Sequence, residues 1–258
     1  MTKPTFSIVT CTWNSAATLA DTLASVQRQT WPEVEHIFVD GGSTDATLEM
    51  IAAYPGRKRV LRDIKGGISR AMNQGIEAAS GDYVAHLHSD DYYASDDVLA
   101  SVAERFASER FASERVDWVV GTVQVLRDGQ LIPPYKVLPF TYRSFAAGRA
   151  WVAHPAVFIR RSMFGRVGMF DEGLKYAMDV DLWLRLGRIA RPATLDRALT
   201  VFRDHAGSVS SANKVKARQE EFQVRKRYLG KAPLAFGIYC LRYLKRMRAL
   251  RVEASKTV

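Results

Sequence analysis

Apolar residues along the first ninety positions switch between two periods. Residues 6–12 (FSIVTCT), bounded by Pro4 and Asn14, read as a buried strand. Ser15 then caps a helical pattern with Leu19, Leu23 and Val26 on one face, ending near Gln29. A short strand at 35–39 runs into Asp40-Gly41-Gly42, and Thr44 serves as N-cap for a helix through Leu48 and Ile51. A weak strand near 59–62, a helix from Ile68 to Ala79, and a strand at 83–88 ending in Ser89-Asp90-Asp91 complete the series. Strands alternating with helices predict an α/β fold with a mostly parallel sheet covered on both faces. Ligands in such sheets sit beyond the carboxyl ends of the strands, where Asn14, Asp40, Asp90 and Asp91 all fall.

The second half is more mixed. Residues 117–126 and 151–160 read as strands around a turn at Asp128-Gly129, and a helix from about Ala177 to Gly187 carries DVDLWLRLG. A five-residue tandem repeat at 104–115 suits neither helix nor strand packing and reads as a duplication in an exposed helix. The division expected is a catalytic domain over 1–212, with halves 1–100 and 101–212, followed by a basic amphipathic helical tail at 213–258.

Charge sharpens that boundary. Residues 214–258 hold 13 Lys/Arg against 3 Asp/Glu, and so carry the whole formal net charge of +10. A basic tail on a neutral body suggests an anionic surface as partner. Residues 232–251 place Phe236, Tyr239, Leu241 and Leu244 on one apolar face bordered by cations, which reads as an interfacial helix on an anionic leaflet or as a helix packed on the domain. Two distant cysteines, Cys11 and Cys240, make no disulfide framework. With no apolar leader before Phe6 and no long apolar span, the expected location is cytoplasmic, with peripheral attachment to the inner face of the plasma membrane through the tail.

Several residues could carry chemistry. The adjacent carboxylates of Asp90 and Asp91 repel each other, and a hard divalent cation, Mg²⁺ or Mn²⁺, would relieve that repulsion while gathering phosphate oxygens. A solvated Asp-Asp turn is the plainer alternative. Asp40 could accept from a base or ribose group, or simply close an Asx-turn. Asp179 and Asp181 do not share a helix face, so one suits a helix cap and the other a general base. His86 and His88 share a strand face with Asp90 and are more simply packed than metal-bound. His154 and His205 could each touch phosphate or be satisfied core histidines.

There is no G-x-G-x-x-G after the first strand, no P-loop and no G-x-S-x-G elbow, which disfavours dinucleotide, P-loop and common hydrolase chemistry. A sugar nucleotidyltransferase would need a Gly-rich basic loop after the first strand, and TCTWNSA is not one. A nucleic-acid binder is disfavoured because the body is neutral and the tail lacks a recognition module.

FSIVTCTWN at 6–14, IFVDGGSTDAT at 37–47, GISRAMNQGIEAASGDYVAHLHSDD at 67–91, and HPAVFIRRSMFGRVGMFDEGLKYAMDVDLWLRL at 154–186 together resemble family 2 glycosyltransferases of the GT-A fold. The resemblance implies a Rossmann-like, mostly parallel sheet with a C-terminal helical extension, and an inverting transfer from a nucleotide sugar, a UDP-sugar above all, to a glycan or lipid-linked acceptor. It implies that Asp40 contacts the base, with Thr10 and Asn14 in the same pocket, and that Asp63 and Lys65 help to hold the nucleotide. It assigns Asp90 to ribose and metal, Asp91 to the metal as direct ligand, with His205 a further metal candidate, and Asp179 to the catalytic base. His154 and Asp181 are acceptor-side candidates. The chain departs from the family pattern at His88, where an acid is common, and lacks the Q-x-x-R-W block of processive synthases, which implies single additions.

Overall fold

The computed structural model describes residues 3–107, 115–134, 140–204 and 213–255. The first half winds as the periods predict: β1 (Phe6–Thr12), α1 (Leu19–Gln27), β2 (Val34–Asp40), α2 (Thr47–Ala53), β3 (Lys58–Leu61), α3 (Ile68–Ala78) and β4 (Tyr83–His86). Strands β3, β2, β1 and β4 lie side by side in parallel, with Thr12 opposite Asp40 at the carboxyl edge. Phe6, Ile8 and Val9 of β1 are fully buried because helices cover both faces. Gly75 lets α3 sit on β1, since a Cβ there would lie 2.2 Å from Val9 Cγ1.

Two helix starts differ from expectation. Neither Ser15 nor Thr44 is an N-cap: α1 begins after Thr18 and α2 after Ala46, and no side chain caps either helix. Ser15 instead accepts from the Trp13 amide, and Thr44 donates its amide to Asn14.

The sheet continues through β5 (Tyr92–Tyr93), β6 (Trp118–Arg127), β7 (Gln130–Ile132), β8 (Val157–Arg160) and β9 (Ala193–Arg203), in the order β3-β2-β1-β4-β8-β6-β9-β5 with β7 on β6. Strand β8 is antiparallel to β4 and β6, whereas β6 and β9 are parallel. The strand expected over 151–160 forms only at its end. Pro155 cannot donate to a ladder, and His154–Ala156 make a single 3-10 turn instead.

Helices α4 (Val98–Ala107), α5 (Tyr142–Ala146), α6 (Ser162–Val167) and α7 (Met178–Ile189) complete the body. In the described part of the tandem repeat Glu104, Ala107 and Arg115 are exposed, as expected, whereas Phe106 is buried and stacks on Tyr83 at 3.7 Å. The tail folds as two helices, α8 (Lys214–Leu229) and α9 (Pro233–Ser255). Phe222 of α8 meets Phe236, Tyr239 and Tyr243 of α9, and Tyr239 is 2% exposed. The apolar face read from the sequence is therefore divided: Phe236 and Tyr239 pack inward, whereas Leu241 and Leu244 are 71% and 53% exposed. Among the described residues no helix is long and apolar enough to cross a membrane.

Candidate active site

Two cavities meet at the carboxyl edge of the sheet. The larger, about 650 Å³, opens between the end of β1 (Trp13, Asn14), the loop after β4 (His88, Asp90, Asp91) and the entry to α7. The smaller, about 440 Å³, lies between Trp151, the entry to α7 and the N-terminal turns of α8. His154, Pro155, Tyr176, Asp179 and Phe202 border both. Asp179 thus borders both cavities.

The environment of Asp179 suits a proton acceptor. Burial raises its pKa to about 6; the Val180 amide and the Arg225 charge oppose that shift, and Glu221 adds to it. A base near that value is largely ionised at neutral pH yet still takes a proton readily. Asp179 does not cap α7. That task falls to Glu220 of α8, whose carboxylate accepts the amides of Lys175, Tyr176 and Ala177 at 3.0, 2.5 and 2.7 Å. Ala177 is the N-cap of α7 and Lys175 and Tyr176 lead into it, so the carboxylate clamps the turn that enters the helix and lies beside its positive end.

Asp181, an acceptor-side candidate from the sequence, borders neither cavity. It is 4% exposed, pairs with Arg185 at 2.8 Å and accepts the Tyr228 hydroxyl at 2.7 Å. Arg185 in turn donates to the carbonyls of Val167 and Met169. Two residues along a helix is a 200° turn, which sends Asp181 to the packed side while Asp179 faces the cavities.

The Asp90-Asp91 pair is also divided. Asp90 is half-buried on the cavity wall, whereas Asp91 is 1% exposed. One Asp91 carboxylate oxygen accepts the Arg203 amide at 3.0 Å, and the other is buried without a partner among the described residues. Burial, and Asp90 beside it, push the Asp91 carboxyl well above the usual carboxylate range. Arg203 fastens the pair to the sheet: its Nε donates to the Asp90 carbonyl and its guanidinium pairs with Asp21. Among the described residues no three His, Cys, Asp or Glu side chains converge as a metal cluster. Two hard carboxylates with an orphaned buried oxygen fit a Mg²⁺- or Mn²⁺-type ion whose remaining ligands are phosphate oxygens. His205 lies outside the described residues.

Other residues named from the sequence fall elsewhere. Thr10 is fully buried, donating to the Leu87 carbonyl at 2.7 Å with His36 Nε2 2.8 Å away, so it braces β1 and β4 rather than lining the cavity. Asn14 does line it; a left-handed φ of 48° turns the chain there, and its side-chain oxygen accepts from the Thr44 amide. Asp40 is fully buried, and its oxygens accept from Gly42, Ser43 and Thr12. Burial opposes its ionisation, but those hydrogen bonds win and hold its carboxyl below the usual range. It shapes the Gly41-Gly42 turn as an Asx-type acceptor. Asp63 and Lys65 are exposed on the loop after β3, which Ile64 ties to the Asp40 carbonyl at 3.0 Å.

His154 is better placed than the sequence indicated. Its ring stacks on His88 at 5.0 Å and 9°, with His86 5.5 Å away. Burial holds it neutral, and both ring nitrogens are buried without a partner among the described residues.

Five participants went unnoticed in the sequence: Tyr176, Phe202, Arg203, Glu220 and Trp151. The run ALTVF at 198–202 carried a β-strand signal that would have located Phe202 and Arg203. Nothing local marks Glu220, which acts across 43 residues.

The profile of the family "Glycosyl transferase family 2" matches residues 7–168. An uncharacterized glycosyltransferase of Mycobacterium tuberculosis is 33% identical over 201 residues, covering 77% of this chain and 75% of the relative. A PGL/p-HBAD biosynthesis glycosyltransferase of Mycobacterium bovis is 32% identical over 215 residues, covering 78% and 76%. Among solved structures, S. aureus TarS 1-349 in complex with UDP-GlcNAc superposes with a TM-score of 0.70 at 21% identity, over 85% of this chain and 65% of that one. The mannosyltransferase PcManGT from Pyrobaculum calidifontis, in complex with GDP-Man and Mn²⁺, gives a TM-score of 0.65 at 17% identity, over 100% and 80%. At that identity the two structures establish the fold alone, and the chain spans about two thirds of the TarS fragment.

Proposed function

The chain belongs to glycosyltransferase family 2, with the GT-A fold, and we propose that it is an inverting, metal-dependent enzyme moving one sugar from a UDP-sugar to a glycan or lipid-linked acceptor, with Asp179 as base. The observation that carries this is the position of Asp179 on the partition between the two cavities, with its pKa raised by burial to about 6.

In this reading the larger cavity takes the donor. Asn14 and the Gly41-Gly42 turn border the base, the Asp40 carboxylate holds that turn in shape, and Asp63 and Lys65 flank the nucleotide from the loop after β3. Asp90 serves the ribose, and Asp90 with Asp91 would hold Mn²⁺ or Mg²⁺. Bound there, such an ion neutralises charge on the diphosphate.

The acceptor approaches through the smaller cavity. Its hydroxyl oxygen bonds to the anomeric carbon from the face opposite the diphosphate, and the hydroxyl proton passes to Asp179. The bond from the anomeric carbon to the diphosphate oxygen breaks, its electron pair leaving with the diphosphate, so the configuration inverts. Tyr176, Pro155 and Phe202 line the junction of the two cavities. That GDP-Man and UDP-GlcNAc occur with the two structural neighbours supports a nucleotide-sugar donor here.

The tail supports peripheral attachment to an anionic leaflet from its outer face. Leu234, Leu241, Leu244 and Val252 are exposed along α9, interleaved with Lys245, Arg248 and Arg251.

A thermal-shift panel of UDP- and GDP-sugars, with and without Mn²⁺, tests the donor assignment, since a bound donor stabilises the folded state by mass action. A UDP-sugar that raises the melting temperature only with the metal is the expected result. No response to any nucleotide sugar would overturn it.

A further inference from the structure

One cation stands on the wall of the larger cavity. Resting on the transferase reading above, we propose that Lys175 binds the phosphate next to the donor sugar and stabilises the negative charge that collects there as the sugar departs.

Lys175 is the only lysine or arginine among the residues that line the larger cavity, and it does not line the smaller one. Its backbone amide is turned to Glu220, 3.0 and 3.1 Å from the two carboxylate oxygens. The residue is exposed, and its ammonium makes no hydrogen bond or ion pair with any described residue. Arg203, the guanidinium that holds the Asp90 carbonyl, is committed to Asp21 and does not line the cavity.

The wall as a whole is acidic, since Asp90, Asp91 and Asp179 all lie on it. An anionic diphosphate therefore needs local cations to settle there. A divalent ion at Asp90 and Asp91 is one, and Lys175 is the one fixed cation that the lining side chains supply.

Position gives Lys175 its task. It enters α7 four residues before Asp179. In a displacement with inversion, the base and the leaving phosphate lie on opposite faces of one anomeric carbon, a sugar's width apart. A flexible four-carbon stem carrying a compact charge suits that span. When the bond from the anomeric carbon to the phosphate oxygen breaks, its electron pair stays on that oxygen. The ammonium donates hydrogen bonds to it and keeps its own protons, so Asp179 alone takes up a proton. A charge-assisted donor aimed where charge develops lowers the barrier rather than only tightening binding.

The test is calorimetry on the full chain with Mn²⁺ at saturation, comparing UDP, which carries the phosphate in question, with UMP, which lacks it. Lys175→Gln should weaken UDP about tenfold and leave UMP unchanged, and Lys175→Arg should restore most of the UDP affinity. An unchanged UDP affinity in Lys175→Gln would overturn the proposal, as would an equal loss for both nucleotides. Its kcat at saturating donor should fall about 100-fold, and a wild-type kcat would overturn the charge-stabilising role. Acetic anhydride labelling of the wild-type lysines, read by mass spectrometry, measures the same contact without a variant. UDP should shield Lys175 more than UMP does, and equal labelling under the two would overturn the proposal. A wild-type chain that binds neither nucleotide would instead overturn the transferase reading, and this assignment with it.

Discussion

The carboxylate of Glu220 accepts the backbone amide of Ala177 at 2.7 Å, and the same group holds the amides of Tyr176 and Lys175. Helix α8 thereby fixes the entry to the helix that carries Asp179. Glu220 touches neither cavity; it acts by positioning. Replacing it with alanine frees three N–H groups and lets the entry to α7 drift, at about 1–3 kcal/mol. We expect kcat to fall roughly 10- to 100-fold, as misplacement of a reacting group by about 1 Å does, with UDP affinity nearly unchanged. Glu220→Gln keeps an acceptor oxygen and should recover part of the rate. A loss confined to stability, with normal kcat in the folded fraction, would show that the clamp is structural only.

Asp179→Asn separates activity from stability. Transfer should drop by about 10²- to 10⁴-fold, the usual contribution of a general base. In the wild type, kcat/KM should rise with pH through about 6 and level off above it, because only the ionised carboxylate accepts the proton. Stability runs the other way. With the folded pKa raised above the ordinary carboxylate value, the folded state binds the proton more tightly, so stability falls as pH climbs from about 4 to 6 and then stays flat. Asn removes that penalty, and Asp179→Asn should unfold later than wild type at pH 8, by on the order of 1 kcal/mol. Thermal melts at pH 4.5 and 8 check both signs.

Asp181→Ala, two residues away, should do the reverse. It leaves Arg185 buried without its carboxylate and the Tyr228 hydroxyl without its acceptor. Breaking a buried pair in this way costs about 3–5 kcal/mol. Chemical denaturation should register that loss, while catalysis per folded molecule survives.

Asp91→Asn keeps the shape of the side chain and removes its charge. The variant should fold at least as stably as wild type, because an uncompensated buried carboxylate is itself unfavourable. The Mn²⁺-dependent part of the UDP thermal shift should vanish. An undiminished shift would take Asp91 out of the metal site.

Leu241→Glu with Leu244→Glu places charge on the exposed stripe of α9 without touching Tyr239. Flotation with anionic liposomes should be lost, while soluble-donor hydrolysis is unaffected. Retained flotation would end the membrane assignment of this face.

The first four strands and their helices were legible because each is a short, local unit whose hydrophobic period matches its burial, as FSIVTCT and ISRAMNQGIEA show. Strand β9 was not. Asp196 and Arg197 interrupt its alternation, and it pairs with β6 across two register shifts. The tail was read as a single face because periodicity assigns a helix one apolar side. It cannot tell that α8 would claim Phe236 and Tyr239 and leave Leu241 and Leu244 to solvent.

Family, fold and the short roster of acidic residues were therefore written in the chain, because motifs at strand ends are local and come in order. Which of those acids face a ligand was not. Asp179 and Asp181, or Asp90 and Asp91, are neighbours in sequence and carry the same functional group. Burial and partners separate them, through Arg185 and Tyr228 in one pair and the Arg203 amide in the other. Those partners lie between 4 and 112 residues away, and only the packed chain brings them to the same carboxylates.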